Sequence, residues 1–148
     1  MKSPLLKRII IFISITGCAF SLSLALYFAF LGPINVSFNN VETIGIVVTK
    51  LDDKNQFYYE FNEIDNENKN SFIKDAKKVI PHKSSGLFTC KCKDSYMIRI
   101  NYINGKTTDV GAFNIIYYKD GVITSSVTTR ANDKNDIKIS NIYAKYFK

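Results

Sequence analysis

The chain has 148 residues, a formal net charge of +7 and a mean hydropathy of −0.05. Only three cysteines are present, two of them in the outer part, so there is no disulfide framework and core packing must carry the fold. There is no internal repeat or low-complexity tract, and frequent Lys, Asn and Ile with scarce Arg match the usage of an AT-rich genome.

Residues 9–31 contain no charge. A hydrocarbon core of about 30 Å needs roughly 20 helical residues, so this stretch is long enough to span as a signal anchor. Lys2, Lys7 and Arg8 precede it, and the next basic residue is Lys50. That asymmetry predicts a cytoplasmic N-terminus (residues 1–8), a transmembrane helix (9–31), a stalk (32–42) and an extracytoplasmic domain (43–148). The outer part keeps 17 basic residues against 13 acids, or +4. Weak attraction to anionic lipid or wall polymer is compatible with that balance, and nucleic acid is not an expected partner outside the membrane.

Within the anchor, Gly17, Ser21, Ala25 and Ala29 recur every fourth residue along one helix face. Small residues at that spacing let transmembrane helices approach closely, which makes self-association an expectation. Ile15-Thr16-Gly17-Cys18 resembles the bacterial lipobox, which implies a lipoprotein cleaved and lipidated at Cys18. The residues that follow depart from that pattern, because Ala19 to Leu31 remain apolar where a lipoprotein continues into a polar tether. Plain secretion after signal cleavage is a third reading of the same segment.

Gly32-Pro33 ends the anchor helix. From Thr43 the chain turns β-like, with Ile44, Ile46 and Val48 in alternation, and Asp52-Asp53-Lys54-Asn55 forms a turn. Phe57, Tyr59 and Phe61 then alternate with Tyr58, Glu60 and Asn62, predicting a hairpin. Residues 71–80, SFIKDAKKVI, show helical spacing of Phe72, Ile73, Ala76, Val79 and Ile80, and Pro81 stops that helix. Strands are expected around 88–92 and 97–102. Asn104-Gly105 reads as a type I′ hairpin turn. Residues 107–118 read as one strand bulged at Gly111, and residues 122–129 as another after Asp120-Gly121. Residues 130–136 read as a polar loop, and residues 137–148 lean toward a short helix. The expected fold class is α+β: a mainly antiparallel sheet of order β-β-α-β-β-β-β with one covering helix and a short C-terminal helix.

No catalytic, cofactor-binding or metal motif emerges. Cys90 and Cys92 share a strand face with Phe88. Residues two apart on a strand lie roughly 7 Å apart at Cα, too far for a disulfide between them, so both read as small core residues. His82 sits in a loop near Ser84 and Ser85 without a nucleophile-elbow pattern. Glu60, Glu63, Asp65 and Glu67 lack the glycine and terminal glutamate of a calcium loop. Asp52, Asp53, Asp109 and Asp120 fall at predicted turns. Tyr58-Tyr59 and Tyr117-Tyr118 must each send one ring to either side of the sheet, making Tyr58 and Tyr118 candidates for a partner surface.

The expectation is therefore a non-enzymatic, membrane-spanning binding or interaction domain of a bacterial cell envelope, whose partner is a protein or an envelope polymer. The alternatives are a lipoprotein with the same outer domain, and a thiol-active or hydrolytic envelope enzyme.

Overall fold

The structure, a computed structural model, describes residues 4–84, 94–129 and 133–148, and the side chains of all of these except 4–8 and 133. The chain divides into two compact units, Met1–Gly32 and Pro33–Lys148.

The first unit is the helix α1, Pro4–Phe30. Its stretch Ile9–Phe30 has a mean hydropathy of 2.3 and spans about 33 Å at 1.5 Å per residue, long and apolar enough to cross a membrane. Its serine and threonine hydroxyls are satisfied within the helix: Ser14 donates to the Ile10 carbonyl, Thr16 to Phe12, Ser21 to Gly17 and Ser23 to Ala19, at 2.7 to 2.9 Å. Such back-bonding removes the penalty that an unpaired hydroxyl carries in hydrocarbon.

The second unit is α+β, as its patterning predicts. Its strands are β1 (Val41–Leu51), β2 (Phe57–Glu63), β3 (Tyr96–Tyr102), β4 (Lys106–Val110), β5 (Asn114–Lys119) and β6 (Val122–Thr128). They form one antiparallel sheet in the order β2-β1-β3-β4-β5-β6. Helices α2 (Lys69–Ala76) and α3 (Asp133–Phe147) pack on one face. Strand alternation sends Ile44, Ile46 and Val48, Ile98 and Ile100, and Val110 and Ile115 to that face, where they meet Phe72, Ala76, Val79, Ile139 and Ile142. Phe72 sits at the centre of the helix layer, edge-on to Tyr146 at 5.2 Å. Residues 34–38, read as stalk, lie along this layer: Ile34, Val36 and Phe38 pack half-buried against the core, and the Ile34 amide donates to the Pro81 carbonyl.

Three details differ from the pattern-based expectation. Residues 107–118 are not one bulged strand but the hairpin β4–β5, reversing at Gly111–Phe113. That reversal is fastened by a distant group, the buried Asp94 carboxylate, which accepts the Phe113 amide at 2.9 Å. A Cβ on Gly111 would fall 2.3 Å from the same carboxylate, so only glycine fits there. The type I′ geometry belongs to Asp120-Gly121, with φ of 50° and 79°; at Asn104-Gly105 only the glycine has positive φ, in a three-residue loop closed by Gly105 N to Tyr102 O. Two helices rather than one cover the sheet, because α3 is 15 residues long and begins inside the predicted polar loop. The expected strand at 88–92, with Cys90 and Cys92, lies outside the described residues.

Candidate functional site

The other face of the sheet carries no helix among the described elements, and its side chains form a distinct constellation. Asp109, read from sequence as a turn residue, lies instead within β4, opposite Arg99 of β3. Arg99 donates through Nε to Asp109 Oδ1 at 2.7 Å and through a terminal nitrogen to Oδ2 at 2.6 Å, a two-pronged pair that matches the guanidinium fork. Tyr118 of β5 donates its hydroxyl to Asp109 Oδ2 at 3.0 Å. The Asp109 side chain is fully buried, whereas that of Arg99 keeps 27% exposure.

Two rings flank this centre. The guanidinium carbon stands 5.8 Å from the Phe61 ring and 5.7 Å from the Tyr118 ring, within cation–π range of both. Phe61 is on β2, two strands away on one side, and Tyr118 is on β5, two strands away on the other. The β1 residue opposite Arg99 is Gly45. Having no side chain, it leaves the space above β1 open between Arg99 and β2. A Cβ there would also come within 2.0 Å of the Asn62 carbonyl, so glycine is what permits β2 to approach.

The Asp109 carboxylate, through its hydrogen bonds, holds the Arg99 pKa above its ordinary value against the opposing effect of burial. Burial first, and then the negative charge of Asp109, push the Tyr118 hydroxyl up to about 12. Near neutral pH Arg99 thus stays charged and the Tyr118 phenol stays protonated.

Beyond Phe61 the same face continues into exposed apolar groups: Leu51 is 55% exposed, Phe57 50% and Tyr59 58%. Ile123, opposite Tyr118, extends the apolar surface onto the edge strand β6. Aromatic side chains around an arginine are the composition that concentrates binding energy at protein interfaces.

Of the residues singled out from sequence, Tyr118 belongs to this centre. Tyr58 does not share its face: it stands opposite Lys50 on the side bearing the helices, while its neighbour Tyr59 looks the other way. Tyr117 packs against the core and Tyr118 away from it, as strand alternation requires. Gly17 and Ser21 are joined by the Ser21 back-bond, and Cys18 is exposed within the continuous α1. Ala25 and Ala29 lie on the same helix. His82 bridges Pro33. Glu60 pairs with Lys50 at 2.5 Å, and Asp65 accepts the Asn68 amide at the start of α2. Among the described residues no group of three or more His, Cys, Asp or Glu is placed to hold a metal ion.

Sequence reasoning missed Arg99, Asp109 and Phe61 as a unit. The signal was present: Arg99 and Asp109 are equidistant from Asn104, so a hairpin centred there pairs them. No family model matches the chain, and neither a curated protein nor a solved structure matches it significantly.

Proposed function

We propose that this chain is a single-pass, membrane-anchored binding domain of a bacterial cell envelope, held by α1 with its N-terminus in the cytoplasm, and presenting the sheet face opposite α2 and α3 to a protein partner. The observation that carries the reading is the row Leu51, Phe57 and Tyr59, each at least half exposed, running into the Phe61–Arg99–Asp109–Tyr118 centre. Exposed aromatics next to a rigid, pre-oriented arginine lose little entropy on binding and bury much apolar area. The back-bonded hydroxyls of α1 and the basic N-terminal flank support the anchor and its orientation. Self-association through Gly17, Ser21, Ala25 and Ala29 is a further property of the anchor in this reading.

Site-specific photocrosslinking tests the proposal. A photoreactive residue at Tyr59, in the full-length protein in its own membranes, is expected to give one discrete protein adduct. The same residue at Ile103, an exposed hairpin tip, is expected to give none. Equal labelling at both positions, or adducts only with polysaccharide, would overturn the protein-partner reading. External protease that fails to cleave near Lys54 in sealed vesicles of native orientation would overturn the topology.

A further inference from the structure

We infer that the end of the domain from which the chain leaves toward α1 is itself a contact surface for anionic phospholipid. The inference rests on the reading of α1 as a membrane anchor.

The argument begins with the fixing of Pro33. Pro33 bridges His82, the Ile34 amide donates to the Pro81 carbonyl at 2.8 Å, and Lys83 bridges Thr129. These contacts gather the C-terminal end of α2, the start of the domain and the end of β6 at one place. The N-terminal end of α3 joins them, since Asn135 donates to the Ile80 carbonyl at 3.0 Å and Lys138 to the Lys78 carbonyl at 2.7 Å. Only Leu31 and Gly32 lie between Phe30, the last residue of α1, and Pro33. Three residue steps reach no more than about 10 Å, so the backbone enters the domain at Pro33 within that distance of the last residue of α1.

The basic charge of the domain is concentrated on its helix layer. Residues 69–78 and 133–148, the two helices with the residues that end them, hold eight lysines against three aspartates, a formal +5, while the rest of the outer domain sums to −1. Lys74, Lys77, Lys78 and Lys138 are exposed. Of the acids facing them, Asp75 is bound by both Lys78 and Lys145 at 2.6 Å, and Asp136 is half-buried on α3. After Lys77 and Lys78, at the foot of α2, comes Ile80, a large apolar side chain 49% exposed. Exposed ammonium groups on the same elements as an exposed apolar side chain fit a phospholipid surface, the lysines meeting phosphate and the apolar group the acyl boundary.

The chain has no tryptophan, so one introduced indole reports alone. Full-length Ile80→Trp and Ile123→Trp proteins would be reconstituted into vesicles carrying brominated acyl chains, and flotation would first establish that each stays with the lipid. Ile123 is the distal control, at the opposite end of β6 from Thr129. In phosphatidylglycerol vesicles, Ile80→Trp emission is expected to be strongly quenched and that of Ile123→Trp unchanged. Each lysine contributes roughly fivefold to the surface equilibrium, so Lys74→Gln with Lys77→Gln weakens it roughly 25-fold, and high salt or phosphatidylcholine relieves the quenching. A protein that floats but shows no quenching at Ile80, or equal quenching at both positions, overturns the surface contact. Quenching that persists in phosphatidylcholine overturns its anionic character. Failure to float overturns the anchor reading instead.

Discussion

The two faces of the sheet solve the same problem with different chemistry. On the helix-covered face, Ile44, Ile46, Ile98, Ile100 and Ile115 are buried almost completely, and two helices complete a dry aliphatic layer. On the other, the middle strands bury a charge pair, and the outer strand carries aromatic rings into solvent. The difference separates two uses of hydrophobic surface. The first face holds the domain together by area removed from water; the second keeps exposed apolar area that folding has not consumed.

The largest effect expected from breaking this division is on the covered face. Phe72→Ala leaves a ring-sized cavity and should destabilise the domain by about 4 kcal/mol. Denaturant titration of the full-length protein in micelles, followed by near-ultraviolet circular dichroism, measures it. Next comes Asp109→Ala, which strands the partly buried Arg99 and removes the acceptor for Tyr118; a loss of about 3 kcal/mol is expected by the same assay. Replacing both partners with apolar residues, as Arg99→Met with Asp109→Leu, should restore most of that loss while abolishing crosslinking from Tyr59. Smallest in stability is Tyr59→Ala, expected within about 0.5 kcal/mol of the native chain because the ring is exposed, yet expected to eliminate the adduct. A Tyr59→Ala variant as unstable as Phe72→Ala would erase the distinction between the faces.

Acid sharpens the comparison further. Hydrogen bonds from Lys145 and then Lys78 hold the Asp75 carboxyl well below the usual carboxylate range. The unfolded chain therefore takes up this proton at higher pH than the folded one. Asp75 adds stability above its unfolded pKa, and that contribution is lost as pH falls toward the depressed folded value. Burial pushes Asp94 the opposite way, so its contribution is full below its unfolded pKa and is lost as pH rises through the raised folded value. Asp75→Asn should accordingly flatten the loss of stability as pH falls below the ordinary carboxyl pKa, and Asp94→Asn should remove the decline that sets in as pH rises through it. Midpoints of denaturation measured across that range check both signs.

Much of this architecture was legible in the sequence, because β1, β2 and α2 carry a local period, α1 is an uncharged apolar run long enough to span, and β6 follows an Asp-Gly turn. The C-terminal helix was legible in kind but not in length, since the residues preceding Ile137 are polar and its stripe emerges only against Phe72 and Tyr96. The β4–β5 reversal was hidden for a different reason: Gly111-Ala112-Phe113 is no standard turn sequence, and what folds it is the carboxylate of Asp94, far away in the chain. The candidate site was hidden in the same manner. Arg99 and Asp109 look unremarkable apart, and only the hairpin register makes them a pair, while Phe61 reaches them across a strand whose decisive residue is a glycine.

The placement of that pair bears on how the sheet finds its alignment. If β4 slid by one position against β3, every side chain would exchange faces, carrying Asp109 in among Ile98 and Ile100 and turning Val110 to the side where Arg99 waits. A carboxylate stranded in an aliphatic layer is far costlier than any methyl group misplaced at the surface. The bridge thus works as a key cut for one lock: the register in which Asp109 meets Arg99 is the one that keeps its charge out of the aliphatic layer.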